Sequence, residues 1–115
     1  MRLIFKTPIV PKKNSHRAAV SKSGKMYQYR PKRAIDSEDG LHWEAKSQWK
    51  AKTLSGPVRV DALFRKTRAD CIGLMETVLD ALQGIVYEND KQCGECSYGW
   101  AELPEGVTAI LMVEG

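Results

Sequence analysis

Five carboxylates fall between positions 70 and 90: Asp70, Glu76, Asp80, Glu88 and Asp90. Asp70 follows a strand-like run and stands where a helix would open. Glu76 and Asp80 are four residues apart, so on a helix they share a face and repel each other unless a cation lies near. Glu88-Asn89-Asp90 reads as a turn after that helix. A strand end, a helix face and a turn can converge on one point, and converging oxygen ligands are what Mg²⁺ or Mn²⁺ requires. Such an ion activates water and neutralises charge at a scissile phosphodiester. The same residues admit a plainer reading, with Asp70 as a helix cap and Glu76 and Asp80 on a solvated helix face.

The elements that must position these groups follow from periodicity. Val58–Phe64 alternates, with Val58, Val60, Ala62 and Phe64 on one side of a strand. Asp70 then caps a helix over about Cys71–Gln83, stopped by Gly84. At 100° per residue, Leu74, Met75, Val78, Leu79 and Leu82 form one apolar stripe, with Gly73, Glu76, Thr77 and Asp80 opposite. Upstream, Arg2–Thr7 opens as a strand closed by Pro8. Residues 8–24 read as a long exposed loop, and Lys25–Tyr29 as a short strand. Pro31 to about Lys52 reads as a helix, with Asp36–Gly40 a frayed start. Ser55-Gly56-Pro57 breaks the chain. Gln92–Leu103 and Val107–Glu114 read as two strands of a hairpin, turning at Pro104-Glu105-Gly106. The order predicts one α+β domain over residues 1–115: a small mixed β-sheet of about four strands packed against two helices.

The stretch Arg68–Gln92, RADCIGLMETVLDALQGIVYENDKQ, resembles the signature of the RusA family of Holliday-junction resolvases. That signature runs Asp-x-Asp-Asn-x-x-Lys-x-x-x-Asp-Ala-Leu, then a short gap and an Asp-Asp-x-Gln turn. Asp70 matches its first aspartate, Asp80-Ala81-Leu82 its helix motif, and Asn89-Asp90-Lys91-Gln92 its acidic turn. Pro8 and Pro11-Lys12-Lys13-Asn14-Ser15 resemble the family's proline- and lysine-rich opening. The resemblance implies a RusA-like fold, a homodimer with two active sites, Mg²⁺ or Mn²⁺, and cleavage of branched DNA in recombination and repair. Three positions depart from the pattern. Ile72 replaces an aspartate, Gly73 an asparagine and Glu76 a lysine. Two outcomes are open. In one, Glu76 supplies the missing carboxylate, so that Asp70, Glu76 and Asp90 are catalytic and bind the metal, with Asp80 as a further ligand or outer partner. In the other, the domain has lost catalysis and binds branched DNA only.

Charge is distributed to suit a polyanion. The first 33 residues hold ten basic side chains and no acidic one, while the whole chain is only +4. Lys12, Lys13, Asn14, His16, Arg17, Lys22, Lys25 and Arg30 are candidate DNA contacts, since Lys and Arg neutralise phosphates and Asn donates to phosphate oxygens. Arg65, Lys66 and Arg68 precede Asp70 and are expected to bring phosphate to the acidic site. Nothing here resembles a base-reading helix, which argues against strong sequence readout.

Cys93-Gly94-Glu95-Cys96 raises a third reading, a zinc-dependent nucleic-acid binder. Structural zinc needs four ligands, and only Cys71, His16 and His42 remain. Strand alternation is expected to place the two sulfurs on opposite faces, which makes them dispensable for chemistry. Tyr98 and Trp100 alternate onto one strand face and are expected in the core or a dimer interface. Composition, at 43% apolar and 28% charged, excludes disorder, collagen and coiled coil. No apolar run reaches the roughly 18 residues of a membrane span. The N-terminus, broken by Lys6, Pro8 and Pro11, is no secretory signal, so a cytoplasmic protein with no membrane partner is expected.

Overall fold

The computed structural model describes residues 1–11 and 32–115 in full, and the backbone of residues 17–20 and 26–29. Strands β1 (Arg2–Phe5), β2 (Arg17–Val20) and β3 (Met26–Tyr29) precede helix α1 (Lys32–Gln48). Strand β4 (Val58–Arg65), helix α2 (Cys71–Ala81), a 3₁₀ turn at Asp90–Gln92, β5 (Cys93–Ala101) and β6 (Ala109–Glu114) follow. The main sheet has the order β1-β6-β4-β5, and β2 and β3 form a separate antiparallel pair. The fold is therefore α+β, a mixed four-stranded sheet with two helices.

The alternation in β4 does what its sequence requires. Val58, Val60, Ala62 and Phe64 point to the helices and are buried, while Arg59, Leu63 and Arg65 face outward. Leu3 and Phe5 of β1 and Ala109, Leu111 and Val113 of β6 complete the sheet's share of the core. On α1, Ala34, Ser37, Leu41 and Ala45 make one buried stripe at helical spacing, and Trp49 continues it. Trp43, on the other side, is exposed. Helix α2 is covered on two sides. Its stripe of Leu74, Met75 and Val78 meets the sheet, and Gly73 and Thr77, expected on the outer face, are buried too. The reason lies in the strap Pro8–Pro11. Ser37 Oγ donates to Pro8 O (2.7 Å) and accepts from Val10 N (3.1 Å), while Thr77 Oγ1 donates to Val10 O (2.6 Å). The strap is thus pinned to both helices.

Two expectations change. Residues 8–24 are not loop throughout, because Arg17–Val20 pairs with Met26–Tyr29 in the register Arg17↔Tyr29 to Val20↔Met26. The last two strands are not a hairpin. Strand β5 runs parallel to β4, β6 runs antiparallel to β4, and β4 lies between them. The turn at Pro104-Glu105-Gly106 carries the chain across β4's end. It is clamped there by Arg65, whose guanidinium donates to the carbonyls of Val107 (2.9 Å), Leu103 (3.0 Å) and Pro104.

The sheet's two edges differ. At β1, Gln48 pairs its amide with Ile4 as a strand would, accepting from Ile4 N (2.8 Å) and donating to Ile4 O (2.6 Å). Glu44 accepts from Lys6 N (2.7 Å), Thr7 N (2.8 Å) and the Thr7 hydroxyl. At the other edge, β5 runs nine residues without proline.

Candidate acidic site and nucleic-acid interface

Asp70 ends an exposed loop that begins at Lys66, and it is the N-cap residue of α2 by position. Its backbone is extended (φ −72°, ψ 135°), its carbonyl accepts from Leu74 N (3.2 Å), and its side chain makes no capping bond. Asp70, Cys71, Ile72, Gly73 and Glu76 line one cleft of about 410 Å³. Asp70 and Glu76 are both exposed there, and Ile72, which is 55% exposed, stands between them in sequence. Lys66 and Arg68 are exposed on the preceding loop. Arg65, expected to serve the same purpose, commits its guanidinium to the three carbonyls of the Leu103–Val107 turn.

Asp80 and Asp90 belong to the opposite end of α2. Gln83 joins them, donating to Asp80 Oδ1 (3.3 Å) and accepting from Asp90 N (3.4 Å). Asp80 faces a second cleft, shared with Glu38, Asp39 and His42 of α1. His42 Nδ1 lies 3.1 Å from Ala81 O, one of the carbonyls that the helix end leaves without an intrahelical partner. Glu38 and Asp39 are the members of this cleft that sequence reasoning missed, because Asp36–Gly40 reads as a frayed start rather than a regular helix. The available signal was the four-residue spacing of Glu38 and His42.

The acidic turn is built by Gln92. Its side-chain oxygen accepts from Glu88 N and Asn89 N (both 3.0 Å), and its amide donates to Leu54 O and Gly56 O (both 3.0 Å). Asn89 Oδ1 accepts from Lys91 N (2.9 Å), so the turn is capped from both ends.

Strand β4 feeds α2 at one end of the sheet, and parallel β5 starts from the other end. The eleven residues of α2 between Asp70 and the turn rise about 16 Å. Asp70 and Asp90 therefore stand at opposite ends of α2, with Glu76 and Asp80 four residues apart on the helix between them. Among the described residues no three His, Cys, Asp or Glu side chains are gathered closely enough to hold a metal ion.

Of the candidate DNA contacts, Lys12, Lys13, Asn14, His16, Lys22, Lys25 and Arg30 lie outside the described residues, and Arg17 opens β2, described by its backbone alone. What the structure does give is where the segment begins. Pro11 is buried, and Val10 before it is bonded to Thr77, the neighbour of Glu76.

Tyr98 and Trp100 share β5's helix-facing side, paired with Ala62 and Phe64, but are 44% and 38% exposed rather than core. No helix among the described residues is long and apolar enough to cross a membrane. No family model matches the chain, and no curated protein matches it.

Proposed function

We propose that this chain is a branched-DNA endonuclease domain of the RusA type, working as a two-fold dimer with Mg²⁺ or Mn²⁺. The observation that carries this reading is the bond from Thr77 Oγ1 to Val10 O. It fixes the entry of a segment rich in Lys and Arg within one helical turn of the cleft lined by Asp70 and Glu76. The lysine- and arginine-rich sequence follows directly on Val10 and Pro11, and Lys66 and Arg68 are exposed on the loop that leads to the same cleft. A bound divalent cation supplies charge neutralisation at a phosphodiester. Because one chain keeps Asp70 and Asp90 at opposite ends of α2, the reading requires two chains. A two-fold axis perpendicular to α2 would run the helix antiparallel to its copy and bring Asp70 toward Asp90 of the partner subunit.

The test is cleavage of a labelled four-way junction with Mg²⁺ or Mn²⁺. Native protein is expected to cut, while Asp70→Asn and Asp90→Asn bind without cutting. Mixing the two variants separates the arrangements. Across subunits, a mixed dimer regenerates one intact site and nicks the junction. If each site lies within one chain, mixing restores nothing.

A second reading, a branched-DNA-binding domain without catalysis, is favoured by one observation. Ile72 is exposed at the cleft, where it presents no oxygen. On that reading native protein binds junctions and never cuts, and Ile72→Asp combined with Glu76→Lys begins to cut.

A further inference from the structure

The strand pairing of β5 overturns one expectation about its cysteines. Val58 pairs with Cys93, Arg59 with Glu95 and Val60 with Cys96, with a register shift between Val58 and Arg59. One step along β4 therefore answers two along β5, a β-bulge in which Gly94 is the extra residue. Alternation would have put the two sulfurs on opposite faces. The bulge returns both to the helix-facing side, opposite buried Val58 and Val60. Cys96 is exposed and Cys93 half-buried beside Tyr87. Cys96 Sγ lies 3.8 Å from Cys93 O, and the two thiols are close enough to act on each other. Asp90 adds negative potential at Cys93, and Asp61 at Cys96.

Geometry decides what such a pair can hold. The bulge sets Cys96 three residues past Cys93 on the same face, with Cys96 Sγ 3.8 Å from Cys93 O and the two thiols in hydrogen-bonding reach of each other. A metal ion with bonds of about 2.3 Å to each sulfur spans sulfurs standing about 4.5 Å apart. Among the described residues no third His, Cys, Asp or Glu joins the pair, so a four-coordinate zinc site is incomplete. Two thiolates with negative neighbours suit a soft cation content with two ligands.

We propose that Cys93 and Cys96 form a two-thiolate site for copper(I). Binding forms two Cu–S bonds, releases the two thiol protons to solvent and changes no oxidation state. The site is independent of the acidic groups on α2.

The probe is copper(I) itself, held anaerobically by a chromophoric chelator and titrated with the full-length chain. Native protein is expected to withdraw one equivalent per chain. Cys96→Ser and Cys93→Ser lose that withdrawal, and Cys71→Ser keeps it. Because Cys96 is exposed, its serine variant retains the native circular dichroism spectrum. Equal withdrawal by native protein and Cys96→Ser overturns the site.

Discussion

At the residue scale, Tyr87 and Gln92 each carry more than their sequence positions suggest. Tyr87 is fully buried, with its hydroxyl donated to Leu79 O at 2.5 Å. Burial holds its ionisation far above the ordinary tyrosine value. In the unfolded chain the phenol ionises normally, near pH 10. The folded value is raised, so its contribution is complete below pH 10 and is lost as pH rises above it, by about 1.4 kcal/mol per pH unit. Burial raises the thiols of Cys71, Cys93 and Cys96 as well, which adds to the same alkaline loss. Urea midpoints measured from pH 8 to pH 11 are expected to fall, and the fall above pH 10 is expected to lessen in Tyr87→Phe. Gln92 makes four bonds that join the acidic turn to Leu54 and Gly56. Its replacement by Ala is expected to cost about 2 kcal/mol in urea denaturation. Asp90, carried by that turn, is expected to be displaced, so a cutting enzyme loses activity in Gln92→Ala although the carboxylate remains.

At the element scale, the approach of α1 to β1 is limited by Gly40. A Cβ there would lie 2.7 Å from Thr7 Cγ2 and 2.8 Å from Thr7 Oγ1. Thr7 cannot swing aside freely because its hydroxyl bonds to Glu44. Gly40→Ala gains about 1 kcal/mol of helix propensity, and the overlap is expected to outweigh it, for a net loss of about 1–2 kcal/mol. In a Thr7→Ala background the same change is expected to stabilise. A double-mutant cycle of thermal melts reads that reversal of sign. The strict alternation of Val58–Phe64 and the stripe of α2 were legible because one local period determines each. Helix α2 ends at Ala81, and Gly84, with φ +81°, follows in the turn as its sequence suggested. Three features were not legible for a common reason. The β4-between-β5-and-β6 order, the burial of Gly73 and Thr77, and the shared face of Cys93 and Cys96 all depend on a distant neighbour. The acidic residues were legible as a group in sequence. The separation of Asp70 from Asp90 by the length of α2 was not, because it follows from β5 lying parallel to β4.

At the scale of the whole molecule, basic charge gathers in the first 33 residues, while carboxylates lie along α2 and its flanking turn. Replacing Lys12, Lys13 and Arg17 together by Ala is expected to weaken junction binding. Each phosphate that the variant no longer neutralises lowers the slope of log affinity against log salt by about 0.7–0.9. Equilibrium titrations at several salt concentrations read that slope, and an unchanged slope assigns the segment to solvent. The unequal edges of the sheet set how far copies of this chain can add to one another. An exposed strand edge is a template for another strand. Here Gln48 and Glu44 occupy the β1 edge with side-chain bonds, whereas the β5 edge has no such cover among the described residues. Any pairing of copies through β5 would therefore stop after one generation, because two copies joined there would present only β1 edges at both ends. Removing the stoppers with Gln48→Ala and Glu44→Ala reopens the far ends. Sedimentation velocity on a variant that still folds is then expected to show larger species than native protein at the same protein concentration.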